Sequence, residues 1–459
     1  MKVFSNTWRV GLLALFASMS VVAADWDVDP SYWGGNLMRD GAAGRSVIVF
    51  DNSGTSFTDE AIKILKRTDG KYIVVGRVSM AGGLLGIGLT RLLANGTLDT
   101  TFGTAGKVSK EACMSSIKDA ALDSQNRIIV VGQSTACSGN GTTDGAIVRF
   151  TQNGADDTSF AGDGGLVFKF NAAFDGQDDV AAVVIDTLDR IIVGGSLVTS
   201  TVRSARVMRF TANGGPDVPN SVAGPVFTTD SFIVDGELSS FGSTVWLIGR
   251  ESDPTLVAVV WKLTGSLAND TSLATGGTAF LSVNHAPGPS CGLATDYTAR
   301  ALVRFGTTVK IIGNNGNRTW WAGVDETGAA GKSFGCFPLP SNVTAINLFS
   351  VTTSGDANGS LYAAGACINA SGSRSCLWRF DKLNATDLRV DTTFNGGLPT
   401  LITYPKIGAV DADSLASDVL NDGSDILIAG LRVWNGSDWD FATARFGGLG
   451  PDVFRNGFE

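Results

Sequence analysis

The chain has 459 residues and a formal net charge of −9, with 44% hydrophobic and only 17% charged residues. That balance excludes general disorder, and an acidic surface excludes nucleic acid and anionic membrane as electrostatically favoured partners. Fifty-eight glycines lie between short Val/Ile-rich runs, and no long stretch has a helical apolar period, so the composition points to an all-β chain.

Taken in chain order, the first segment reads as an export signal. Lys2 and Arg9 supply a positive start, Val10 to Val22 form an apolar core, and Val22-Ala23-Ala24 place small residues before Asp25. Residues 1–24 are therefore read as a secretory signal peptide, too short to persist as a membrane span. No later stretch is apolar enough to span a membrane. The expected location is outside the bacterial inner membrane, either secreted or in the periplasm or at the cell surface. Residues 25–43 form an acidic linker. Its Asp25-Trp-Asp-Val-Asp-Pro30 resembles the opening of a calcium loop, but Pro30 stands where the turn glycine belongs.

From there a unit of about sixty residues recurs seven times. Its marker is an apolar strand ending in glycine: Lys71–Gly76, Arg127–Gly132, Arg190–Gly195, Thr244–Gly249, Val309–Gly313, Leu361–Gly365 and Ile426–Gly430. An acid-led strand precedes it, as in Asp59–Leu65 and Asp179–Ile185, separated from it by a tight polar turn. A third strand ends in Arg plus an aromatic or Leu (Arg91-Leu92, Arg149-Phe150, Arg209-Phe210, Arg379-Phe380, Arg445-Phe446). An Asn-Gly turn and a Gly-rich link then lead into a fourth strand, as in Asn95 to Val108.

Four short strands per unit make one propeller blade, and stacking blades buries both faces of each sheet. Residues 44–446 are thus predicted to form a seven-bladed β-propeller of four-stranded antiparallel blades. The last unit, 411–446, lacks a downstream fourth strand, while an extra strand at Ser46–Phe50 precedes the first unit. That N-terminal strand is expected to close the last blade as its outer strand, removing an open edge.

On these motifs, above all Asp69-Gly-Lys-Tyr-Ile-Val-Val-Gly76, Asn95–Val108 and Asn153–Phe160, the chain resembles the delta-60 repeat family of exported bacterial β-propellers. The likeness fades in the fourth and fifth units and partly returns at Arg389–Gly397. It implies fold and export, and no particular activity.

Six cysteines in an exported chain imply disulfides. The repeat frame favours Cys113–Cys137, Cys291–Cys336 and Cys367–Cys376, each within one unit. No Cys-x-x-Cys metal or redox spacing occurs.

Catalytic motifs are sparse. The single histidine, His285, sits in a polar link, no Gly-x-Ser-x-Gly elbow exists, and Gly331-Lys332-Ser333 lacks the first glycine of a phosphate loop. Five aspartates, Asp59, Asp119, Asp179, Asp296 and Asp418, open the first strand of their units. If that strand is innermost they form an acidic rim at the channel mouth, a candidate Ca²⁺ or cationic-ligand site, or else caps for turn amides. Trp320, Trp321, Trp434 and Trp439 stand in or beside variable loops, where exposed rings could stack on sugars and buried ones would pack between blades.

The leading functional reading is a non-catalytic binding or scaffold propeller whose partner is an envelope protein or a glycan. A carbohydrate-binding propeller is the second reading, and a hydrolase with carboxylates at the channel mouth the third. No cofactor is expected apart from the candidate Ca²⁺. Residues 447–459 form a C-terminal tail ending Asn456-Gly-Phe-Glu459, which resembles sorting or processing tags.

Overall fold

The computed structural model describes residues 45–50, 59–81, 84–111, 114–135, 142–171, 176–199, 203–217, 231–238, 244–251, 256–273, 277–282, 297–305, 308–325, 332–355, 359–383, 387–402, 404, 413–423, 426–434 and 438–446. The expected signal peptide, acidic linker, C-terminal tail and His285 lie outside them, as do Cys113, Cys137 and Cys291.

The described residues form seven antiparallel sheets, one per sequence unit, here blades 1 to 7. Their first strands are Glu60–Lys66, Ser116–Leu122, Gln177–Ile185, Ser231–Leu238, Thr298–Phe305, Ala345–Thr353 and Ser414–Asn421. Each first strand packs beside the next, and the seventh returns to the first, so these are the innermost strands of a closed ring. Blade 3 shows three strands among the described residues. In blade 6 two short segments, Leu388–Val390 and Thr400–Ile402, both pair with the third strand.

The second strands carry unbroken apolar runs because both of their faces are covered. In blade 1, Tyr72 and Val74 point into the core shared with blade 7, while Ile73 and Val75 point into the core shared with blade 2. Closure follows the expected plan. Arg45–Ile48 pairs antiparallel with Asp438–Phe446, setting Arg45 opposite Ala444 and Ile48 opposite Phe441. Val47 and Ile48 are both fully buried. Val47 joins Tyr362 and Phe446 between blades 6 and 7, and Ile48 joins Val74 and Phe441 between blades 7 and 1. Burying such a side chain is worth roughly 1.5–3 kcal/mol, so four residues hold two interfaces together.

The glycine that marks each repeat has a steric cause. Every inner strand carries a β-bulge, falling between Ala61/Lys63, Ile117/Asp119, Val180/Ala182, Ile233/Asp235, Ala299/Ala301, Leu348/Ser350 and Ala416/Asp418. The residue opposite the first member of each pair is the marker glycine: Gly76, Gly132, Gly195, Gly249, Gly313, Gly365 and Gly430. At Gly132 an added Cβ would lie 1.9 Å from the Ser116 carbonyl oxygen, and at Gly430 2.0 Å from that of Leu415. A bulge pushes one carbonyl toward its partner strand, and only glycine leaves room for it.

The third-strand basic residue explains the rest of the repeat grammar. Arg91 Nε meets Asp99 at 2.8 Å and Arg149 Nε meets Asp157 at 2.8 Å, while Arg209 pairs with Asp217 and Lys262 with Asp270. The same guanidinium reaches the following blade: Arg91 donates to the Gln152 carbonyl at 3.1 Å, and Arg149 donates to that of Ala212. Burial alone would push the Asp157 carboxyl up, but Ser159 donors and Arg149 hold it below its ordinary value. These recurring charges clamp neighbouring blades and are accounted for by folding.

Cys367 and Cys376 are bonded, with a Cα–Cα distance of 5.8 Å, and link the second and third strands of blade 6. Cys336 is also disulfide-bonded.

Candidate functional site

The bulges aim one side chain per blade into the central channel. The inserted residues are Ile62, Lys118, Ala181, Val234, Arg300, Phe349 and Ser417, and all seven line a single cavity of about 330 Å³. None of them is buried, although most of their strand neighbours are.

The residue after each bulge forms a second, deeper layer: Lys63, Asp119, Ala182, Asp235, Ala301, Ser350 and Asp418. Its polar members join adjacent blades. Asp119 Oδ2 accepts the Val183 amide at 2.9 Å, Asp235 Oδ2 the Leu302 amide at 2.9 Å, and Asp418 Oδ2 the Ile64 amide at 2.9 Å. Ser350 donates to Asp418 Oδ1 at 2.8 Å and accepts from the Val419 amide at 3.3 Å. Lys63 places its ammonium 3.4 Å from Asp119 and 3.8 Å from Asp418. The Asp119 and Asp418 charges push its pKa well above the ordinary lysine value.

The expected rim of five equivalent aspartates is corrected in register. Of the four that lie among the described residues, Asp119 and Asp418 alone occupy equivalent positions, and Asp235, absent from the expectation, joins them. Asp59 is a buried corner: its amide donates to the Trp439 carbonyl at 2.7 Å, and its Oδ1 accepts from the Ser79 amide at 3.0 Å. Asp179 lies three positions upstream of Ala182, where it accepts from Gln133 Nε2 at 2.7 Å and pairs with Arg203 at 3.4 Å. Asp296 lies outside the described residues. At the candidate Ca²⁺ position the Lys63 ammonium stands between Asp119 and Asp418, so part of their charge is already balanced.

Trp320 and Trp321 are corrected as ligand contacts. They are adjacent on the strand Arg318–Asp325 and so face opposite ways. Trp320 is fully buried between blades 4 and 5 against Tyr297 and Phe334, and Trp321 is buried between blades 5 and 6. Trp439 is half-buried. The Trp434 side chain lies outside the described residues.

One buried acid stands apart from these networks. Asp178 is 1% exposed at the junction of blades 2 and 3, where its Oδ2 accepts the Phe170 amide at 3.1 Å and its Oδ1 has no hydrogen-bond partner. Burial pushes its pKa up to about 7, and the neighbouring Asp144 charge adds to the rise. The folded chain therefore keeps this proton while the unfolded chain loses it above about pH 4, so stability falls as pH rises from 4 to 7. Asp178→Asn is expected to stabilise the protein by about 2 kcal/mol at pH 8 and to give no gain below pH 4. Urea melts at the two pH values check this; an equal effect at both would refute it.

Three segments, residues 67–102, 125–160 and 189–218, match the model of a family described as a domain of unknown function (DUF5122) beta-propeller. They fall in blades 1, 2 and 3. No curated protein matches the chain. Among solved structures, a protein of unknown function from Dyadobacter fermentans is similar at 10% identity and a TM-score of 0.43, covering 88% of this chain and 97% of that one. The Dos1 propeller is similar at 9% identity and a TM-score of 0.43, covering 86% and 94%. The polysaccharide lyase Uly1 is similar at 10% identity and a TM-score of 0.44, covering 93% and 98%. Likeness at this level carries no argument about activity. The ring of seven sheets and the family match together make this chain a seven-bladed β-propeller.

Proposed function

We propose that this chain is an exported, non-catalytic binding propeller of the delta-60 type, and that it takes a glycan-type ligand in its central channel. The observation that carries the reading is the contrast between the inserted channel residues and the repeating positions that serve folding. Positions that serve folding recur from blade to blade, as the marker glycines and the Arg–Asp clamps do. The seven inserted residues instead comprise two cations, an aromatic, a hydroxyl and three aliphatics, a diversity that blade stacking does not require. The cavity has the size of a small-molecule pocket, about 300–1,000 Å³.

Binding is preferred to hydrolysis because each deep carboxylate already has an oxygen engaged by the next blade's amide. A general acid or nucleophile must instead be able to change charge or position during reaction.

The test is a glycan array probed with the wild-type chain and with Ala181→Trp, which fills the channel from one blade. Wild-type binding that disappears in Ala181→Trp is the expected result. Binding unchanged by the plug, or cleavage of the bound glycan, would overturn the reading.

A further inference from the structure

We propose that the junction of blades 2 and 3 is a proton-operated seam, closed while Asp178 holds a proton and loosened as the pH rises to neutrality. The device is independent of what the channel binds. Asp178 occupies a corner that blade 1 shares. Asp59 and Asp178 each lie three positions before the residue their bulge inserts, Ile62 in one blade and Ala181 in the other. Each donates its amide to the third strand of the preceding blade, to the Trp439 carbonyl and the Thr143 carbonyl, both at 2.7 Å.

The two corners differ in what meets the carboxyl. Asp59 Oδ1 accepts the Ser79 amide of its own blade at 3.0 Å. Asp178 Oδ2 accepts the Phe170 amide at 3.1 Å, from the link that arrives out of blade 2, so this side chain ties two blades together. Its Oδ1 has no hydrogen-bond partner although the residue is almost wholly buried. A buried oxygen left unpaired costs far more on a carboxylate than on a neutral acid.

The charged groups around it leave that cost in place. Asp144, itself buried, adds a like charge from blade 2, while Lys169 and Arg206 pull the other way. Burial outweighs the two cations, and the carboxyl titrates at about 7. Arg206 donates to the Ala205 carbonyl at 2.9 Å, and burial lowers its own pKa. Asp179, next along the strand, is engaged by Gln133 and Arg203 and faces Lys118, which places the seam at the channel wall. Opening the seam returns Asp178 to water, where its carboxyl titrates near 3.8. Opening is therefore independent of pH below about 4, rises from there to about pH 7, and levels off above it.

Hydrogen exchange of the wild-type chain between pH 4 and pH 8.5, read residue by residue by mass spectrometry and corrected for intrinsic exchange rates, tests this. The Phe170 and Asp178 amides should open at least about tenfold more often at pH 7 than at pH 5, with no further rise above pH 7. The Ser79 amide, held by Asp59, is the internal reference and should show no such rise. Asp178→Asn should abolish the rise. Should that variant not fold, Asp144→Asn carries the test: removing the like charge should move the levelling-off to lower pH. A flat profile at Phe170 and Asp178, an equal rise at Ser79, or a rise that persists in Asp178→Asn would overturn the inference. A levelling-off that Asp144→Asn leaves unmoved would overturn it too.

Discussion

Val47→Asp is expected to cost more than about 4 kcal/mol and to abolish the single cooperative melt of the propeller. The side chain is fully buried, and its neighbours Tyr362 and Phe446 belong to two different blades. A carboxylate placed there would be buried among apolar side chains, and a buried charge without a matched partner is among the few changes that reach this magnitude. The effect should spread beyond one contact. Losing Arg45–Ile48 leaves the strand Asp438–Phe446 as a bare edge and uncovers cores on both sides of blade 7. Urea melts read by tryptophan fluorescence check this. A variant that melts in one transition near the wild-type midpoint would show that the closing strand is dispensable.

Gly132→Ala is expected to cost about 3 kcal/mol and to weaken ligand binding as well. The new methyl would lie 1.9 Å from the Ser116 carbonyl, a backbone atom that cannot turn away as a side chain can. Relief requires shifting the bulge that carries Lys118, so stability and channel binding should fall together. Gly165→Ala is the control, since its Cβ would meet only Asp163 Oδ1 at 3.8 Å. Calorimetric melts of the two variants test the pair. Similar small effects at both positions would refute the steric account of the repeat glycine.

Much of the architecture was legible because it repeats. The apolar run ending in glycine gives the blade count, and the missing fourth strand after residue 446 identifies the partner of Ser46–Phe50. Cys367–Cys376 was readable because the two cysteines flank one hairpin. The site was harder to read, because a bulge is a change of register and not of composition. Asp59 and Asp179 look equivalent to Asp119 when aligned on the first acid of each strand. Counting back from the marker glycine would have grouped Asp119, Asp235 and Asp418, since turn length varies by only a few residues. The Trp320–Trp321 pair misleads for a related reason. Adjacent strand residues diverge to opposite faces, and in a propeller blade both faces are interior.

The strand Arg45–Ile48 precedes every blade in the chain, yet its partner is the final strand. Six blades can therefore stack as an open arc before the ring shuts, with the latch waiting for residues 438–446. The loop it closes runs to about 400 residues, but closure entropy grows only with the logarithm of length, so the delay costs time more than stability. Tension applied at the N-terminus meets this same latch first. Peeling away four residues would turn the closed ring into an arc that unravels from its seventh blade.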